Sequence, residues 1–202
     1  MTSPAAVPTP AASVRYHVHQ KITPFQNTYR IMVDAGGEPG QLIAFAKQKR
    51  MAFKESFTLY GDEGASRPVL TITADRRIDV RSAMTVRDPA GEVVGTLRKR
   101  GAASLFRSTW EMEQANGPLV VVQERSMAIA LLRRFSELVP YLNSLPIPWV
   151  FHFDGTIGGR VVLTHTRLWG IRDRYVLELF DPSLDSRLAI ALAVCLDAMQ
   201  KR

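Results

Sequence analysis

Near the C-terminus the chain carries nine consecutive apolar residues, Leu188 to Leu196, and this run constrains the fold more than any other feature. Ser186 can cap a helix that continues to Met199. The middle of that helix is apolar on every face, and a helix hydrophobic all round must be enclosed on all sides. Lipid cannot enclose it, because a spanning helix needs about 20 apolar residues. Protein must therefore surround it. Ala189, Ala191 and Ala193 alternate with larger residues and keep the helix thin.

The rest of the chain supplies strands for that purpose. From Val14 to Phe180 short β-like runs alternate with turn signals. Leu70–Thr73, Ile78–Val80 and Tyr175–Phe180 alternate in polarity, and Trp149–Phe153 is aromatic and β-branched. Between runs lie Asp34-Ala35-Gly36-Gly37, Asp88-Pro89-Ala90-Gly91, Ala115-Asn116-Gly117-Pro118 and Asp154-Gly155. Asp-Pro-x-Gly specifies a type I turn, with Pro fixing φ and Gly taking the left-handed position. Asn-Gly and Asp-Gly favour tight hairpins. Ile31–Ile43 and Met84–Leu97 repeat one pattern: apolar strand, Asp, Gly turn, apolar strand. Met112–Val121 and Phe151–Leu163 are looser copies. About a dozen strands fit, so the fold class is mainly β, a closed antiparallel barrel around the buried C-terminal helix.

One further helix is expected. Met127–Leu138 has apolar residues at helical spacing, continued by Val139, and is followed by Pro140, Pro146 and Pro148; it would plug one barrel end. The first 13 residues are Pro- and Ala-rich without a charged side chain and read as a flexible tail, leaving 14–202 as one domain. They lack the basic and apolar regions of a secretory signal. With the short apolar runs and a single cysteine, this suits a cytoplasmic protein, peripheral to a membrane at most.

Basic residues number 26 against 19 acidic, a formal charge of +7. Such a surface attracts polyanions, either nucleic acid or anionic headgroups. No GxSxG, HExxH, Walker or GxGxxG motif is present. Gly155–Arg160 is glycine-rich but reads as a hairpin turn. His17 and His19 share a strand face without further metal ligands close in sequence, and His152 and His165 read as satisfied barrel residues. Cys195 reads as a small buried hydrophobe. No cofactor is implied.

Tyr29–Asp34, Ala46–Lys54, the stretch from Ile72 to Thr109 with its Arg-Asp-Pro-Ala-Gly-Glu-Val-Val-Gly segment, and the terminal helix together resemble the tubby C-terminal-like superfamily. That superfamily includes tubby proteins, phospholipid scramblases and LURP-one-related proteins; the chain is most similar to the bacterial LURP-one-related branch. The resemblance implies a twelve-stranded barrel around a hydrophobic C-terminal helix. It also implies phosphoinositide binding through basic surface residues, as in tubby domains. Calcium-dependent lipid scrambling is not expected. Glu178 and Asp181 are isolated rather than part of an acidic calcium-binding segment, and a palmitoylatable cysteine cluster is missing.

Two basic clusters are the functional lead: Lys47, Lys49, Arg50 and Lys54, and Arg98, Lys99, Arg100 and Arg107. Phe45, Phe53, Phe57 and Phe106 interleave with them. A solvated barrel surface would also carry such residues. Functionally, they suit a non-catalytic module for anionic lipid headgroups or another phosphate ligand. The alternatives are a nucleic-acid-binding module that stacks bases on those rings, and an enzyme or small-molecule carrier with a pocket at the barrel mouth. A helix that fills the lumen argues against the last. No protein partner is identified.

Overall fold

The computed structural model describes residues 13–23, 26–49, 56–74, 83–100, 108–125, 152–170 and 173–200. The expected helix at Met127–Leu138, the runs Ile78–Val80 and Trp149–Phe151, and the tail up to residue 12 lie outside them. Among the described residues twelve strands precede one helix: β1 (Val14–Ile22), β2 (Gln26–Ala35), β3 (Glu38–Lys49), β4 (Ser56–Tyr60), β5 (Pro68–Ala74), β6 (Ala83–Arg87), β7 (Val93–Lys99), β8 (Thr109–Gln114), β9 (Leu119–Glu124), β10 (His152–Ile157), β11 (Arg160–Arg167), β12 (Arg174–Leu179) and α1 (Ser186–Gln200). Each strand pairs antiparallel with its sequence neighbours. Val14↔Leu179 through His19↔Arg174 join β1 to β12 and close the barrel. Closure removes the free edges that an open sheet would expose.

Local turn chemistry builds the hairpins. Between β2 and β3, Gly36 and Gly37 take φ of 71° and 93°, and the Gly37 amide donates to Asp34 at 3.0 Å. Between β6 and β7, Asp88 Oδ1 accepts from the amides of Ala90 (2.9 Å) and Glu92 (3.0 Å). Gly91 supplies the left-handed position at φ 87°. The Asp154-Gly155 turn does not form. Both residues sit inside β10, opposite Thr164 and Leu163, and the hairpin turns at Gly158-Gly159 instead. Gly155 is needed there for space, because a Cβ would come within 2.6 Å of Leu163 Cδ2.

The barrel encloses α1. Leu188, Ala189, Ala191, Leu192 and Cys195 are completely buried against inward residues such as Leu97, Met112 and Leu177. Each large side chain so buried contributes about 1.5–3 kcal/mol. Gly95 on β7 lets the helix approach, since a Cβ would lie 2.5 Å from Leu188 Cδ2. The cap differs from expectation: Asp185 Oδ1, rather than Ser186, accepts the Arg187 amide at 2.9 Å. A carboxylate one residue earlier meets the second helical amide, which the Ncap position requires.

Antiparallel order gives the barrel two distinct ends. α1 begins at the end where β12 finishes; its C-terminal turn lies where odd-numbered strands finish and even-numbered strands begin. The lumen at this second end is polar. Asp197 on α1 is buried, and Tyr29 and Tyr175 donate to its two oxygens. His165 was expected to be satisfied, but it is 2% exposed with neither ring nitrogen hydrogen-bonded. It stacks on Tyr175 at 5.0 Å instead, and burial pushes its pKa down to about 4.

Candidate functional site

The outer face of β1, β2 and β3 carries a groove of about 680 Å³ at the end that holds the α1 C-terminus. Strand parity builds it. Tyr16, Val18 and Gln20 of β1 and Tyr29 and Ile31 of β2 are buried, so the alternate residues His19, Lys21, Thr28 and Arg30 face outward. Antiparallel register aligns these in rows. Lys21 pairs with Thr28 and Thr28 with Lys47. In the next row His19 pairs with Arg30, and Arg30 with Phe45. Two strand spacings separate the Lys21 and Lys47 backbones, about 10 Å. A hydroxyl-bearing Thr28 lies between them.

The floor is apolar. Phe45 is 2% exposed although it does not join the lumen core. The Lys47 ammonium lies 5.4 Å from its ring centroid, a cation–π distance. Arg30 reaches across to Glu63 in the β4–β5 connection at 2.8 Å. Asp173, at the far wall, is held by Arg167 at 2.5 Å. Among the described residues, the two acidic groups of the groove, Glu63 and Asp173, are thus matched by Arg30 and Arg167. Lys21 and Lys47 make no ion pair among the described residues. The remaining character of the groove is cationic, over an aromatic floor.

The two sequence clusters fare differently. Lys47 lines the groove. Lys49 lies two residues further along β3, opposite Gln26; its side chain, and all of Arg50, Lys54 and Arg107, lie outside the described residues. Arg98 and Lys99 end β7 and Arg100 follows it; β4, β5 and β6 intervene between that strand and β3. The second cluster also divides across the wall. Arg98 lies opposite Glu111, while Lys99 lies opposite the buried Trp110 on the inward parity. Arg100 is bound to Glu111 at 2.5 Å. Lys47 and Arg100 reach the same barrel end, because β3 and β7 run in the same direction, but β4, β5 and β6 lie between their strands.

Lys21, Thr28 and Arg30 form no charge cluster in a linear reading, since no other Lys or Arg lies within five residues of Lys21 or of Arg30. The β1–β2 hairpin brings them together. Its turn is closed by Thr23, whose hydroxyl donates to the Gln26 carbonyl at 2.7 Å.

A closed twelve-strand antiparallel barrel wrapped around a C-terminal helix is the tubby-like architecture. The chain belongs to the LURP-one-related family, whose model matches residues 42–197, and that family is part of the tubby-like C-terminal superfamily. The match stands at the level of the family, not of a branch within it. No curated protein matches the chain. Among the described residues no helix is long and apolar enough to cross a membrane.

Proposed function

We propose that the protein is a non-catalytic binding module whose groove takes an anionic, phosphate-type group, with Lys21 and Lys47 flanking it and the Thr28 hydroxyl between them. The row Lys21–Thr28–Lys47 carries this reading: two ammonium groups and one hydroxyl are presented together at a surface whose acidic neighbours are already paired. Membership of a tubby-like family supports a binding role. The filled lumen supports it further, because α1 occupies the space that a carrier or enzyme would keep open. Phe45 is buried and so offers no face for base stacking. The one cysteine is free and buried, which suits a reducing, cytoplasmic setting.

Isothermal titration of the full chain with a soluble inositol polyphosphate tests the reading. Lys21→Ala and Lys47→Ala should each weaken binding about tenfold, the scale of one charge-assisted contact. Arg100→Ala, on the far strand and bound to Glu111, should leave it unchanged. Equal loss from Arg100→Ala, or no binding by the wild type at low salt, rejects the groove as the site.

A further inference from the structure

The barrel end beside the groove also presents the most exposed large apolar residue among the described residues. Trp169 is 77% exposed in the β11–β12 connection, with Leu168 at 39% beside it. Ile22, at the end of β1, is 43% exposed and borders the groove. These residues are neighbours through the sheet. β12 pairs with both β11 and β1, and the Gln20 amide donates to the Asp173 carbonyl at 2.8 Å.

The stem below Trp169 is closed. The Leu168 amide donates to the Arg174 carbonyl at 2.7 Å, and Arg167 bridges to Asp173 at 2.5 Å. Both partners of that bridge are mostly buried, with side chains 16% and 13% exposed. The indole is thus presented from a clamped base, and ordering that base on contact costs little.

Exposed aliphatic residues at the opposite end have a different setting. Val14, Val93, Leu119 and Val161 stand one per strand, at or next to the starts of odd-numbered strands. At that end Arg15 pairs with Glu178 and Arg160 with Asp181, while Arg87, opposite Val93, donates to the Gly91 carbonyl at 2.9 Å. Among the described residues, the Trp169 end alone joins an exposed aromatic side chain to lysines that make no ion pair.

We propose that this end docks onto an anionic lipid bilayer, with Trp169, Leu168 and Ile22 seated in the interfacial zone and Lys21 and Lys47 against the headgroups. Tryptophan is enriched at the membrane interface because its ring is apolar and its N–H is polar. An anionic leaflet attracts basic residues within a Debye length of its surface. Either signal alone is weak, and stable peripheral attachment takes two. The proposal takes its charge from the groove reading and its contact from Trp169. It sets the barrel with the α1 C-terminal end toward the bilayer.

The test uses the full chain with vesicles of phosphatidylcholine, with and without one fifth phosphatidylserine, some carrying brominated acyl chains. Tryptophan emission should shift to the blue and be quenched by bromine on the anionic vesicles only. Trp169→Ala should abolish the quenching and weaken vesicle binding about tenfold, with the melting temperature unchanged and soluble inositol polyphosphate still bound as by wild type. Leu168→Ala should weaken vesicle binding in the same direction. Unquenched emission, or wild-type vesicle binding by Trp169→Ala, overturns the docking surface while leaving the groove reading intact. Bromine quenching that persists when Lys21→Ala/Lys47→Ala has lost the soluble anion supports the groove and the aromatic contact separately, and rejects the placing of Lys21 and Lys47 against the headgroups. If sedimentation without vesicles shows a dimer that Trp169→Ala dissociates, the tip is a protein contact and the membrane proposal fails.

Discussion

The Tyr29 hydroxyl on the barrel wall donates to Asp197 on the axial helix at 2.9 Å, joining residues 168 positions apart. Tyr175 donates to the second carboxylate oxygen, and Gln20 donates to the Tyr29 hydroxyl at 3.0 Å. Asp197 lies in the last turns of α1, where the helix dipole disfavours a negative charge. It is also 4% exposed, so desolvation opposes it as well. The tyrosines offset both effects. Burial, and then the adjacent Asp197, push both phenol pKa values up, so each hydroxyl keeps its proton and remains a donor.

Tyr29→Phe removes one of these donors. It should cost about 1–3 kcal/mol, the scale for leaving a buried polar group short of a partner. Tyr175→Phe should cost a similar amount. The double variant should depart from the sum, since both donors serve one carboxylate. Chemical denaturation of the four proteins measures the coupling; strict additivity would show that the two bonds act independently.

His165 makes the fold sensitive to acid. Its folded pKa is lowered by burial from the ordinary 6.5 to about 4. Above the unfolded value both states are neutral and the full stability is present. As pH falls between 6.5 and about 4, the unfolded chain binds a proton that the folded chain refuses, so stability falls. Below that range both states are protonated and the loss levels off. The slope reaches at most about 1.4 kcal/mol per pH unit. His165→Phe keeps a ring against Tyr175 and should flatten this part of the profile, measured by urea unfolding at steps from pH 7 to pH 4.

The helix and its wall should prove inseparable. Truncation after Asp185 should abolish cooperative folding, because it removes the completely buried Leu188, Leu192 and Cys195 together. Leu192→Asp should be nearly as severe, leaving an unpaired charge in the core. Gly95→Ala is the finer probe. Its Cβ would meet the Glu113 carbonyl at 2.4 Å and Leu188 at 2.5 Å, so we expect a loss of about 1–3 kcal/mol in thermal unfolding.

Features set by neighbouring residues were legible in advance. The Asp-Pro-Ala-Gly segment makes the β6–β7 turn, and Gly36-Gly37 makes the β2–β3 turn, because both conformations follow from φ preferences within four residues. Asp154-Gly155 misled for the opposite reason. The same dipeptide chemistry serves a turn or a tight spot in a strand, and only Leu163 across the sheet selects between them. Asp197 went unread for a similar reason: nothing near it in the chain indicates that two tyrosines from opposite parts of the sequence will meet it. At the site, Lys47 was legible as part of a charge cluster, whereas Lys21, Thr28 and Arg30 were not.

By itself the sequence determined that short strands must enclose a helix apolar on every face, since neither water nor a bilayer could accommodate nine such residues in a helix of that length. Strands that enclose such a helix on all sides form a closed barrel, whichever long-range contacts they make. Which cations share a surface was decided only by the tertiary structure. Charge spacing along the chain places Arg98 and Arg100 in one cluster with Lys99, but side chains on a strand alternate between faces, and three strands lie between β7 and β3. Register around the β1–β2 turn instead brings Lys21 into line with Thr28 and Lys47. Strand pairing is a property of the closed sheet, and no local preference of the residues encodes it.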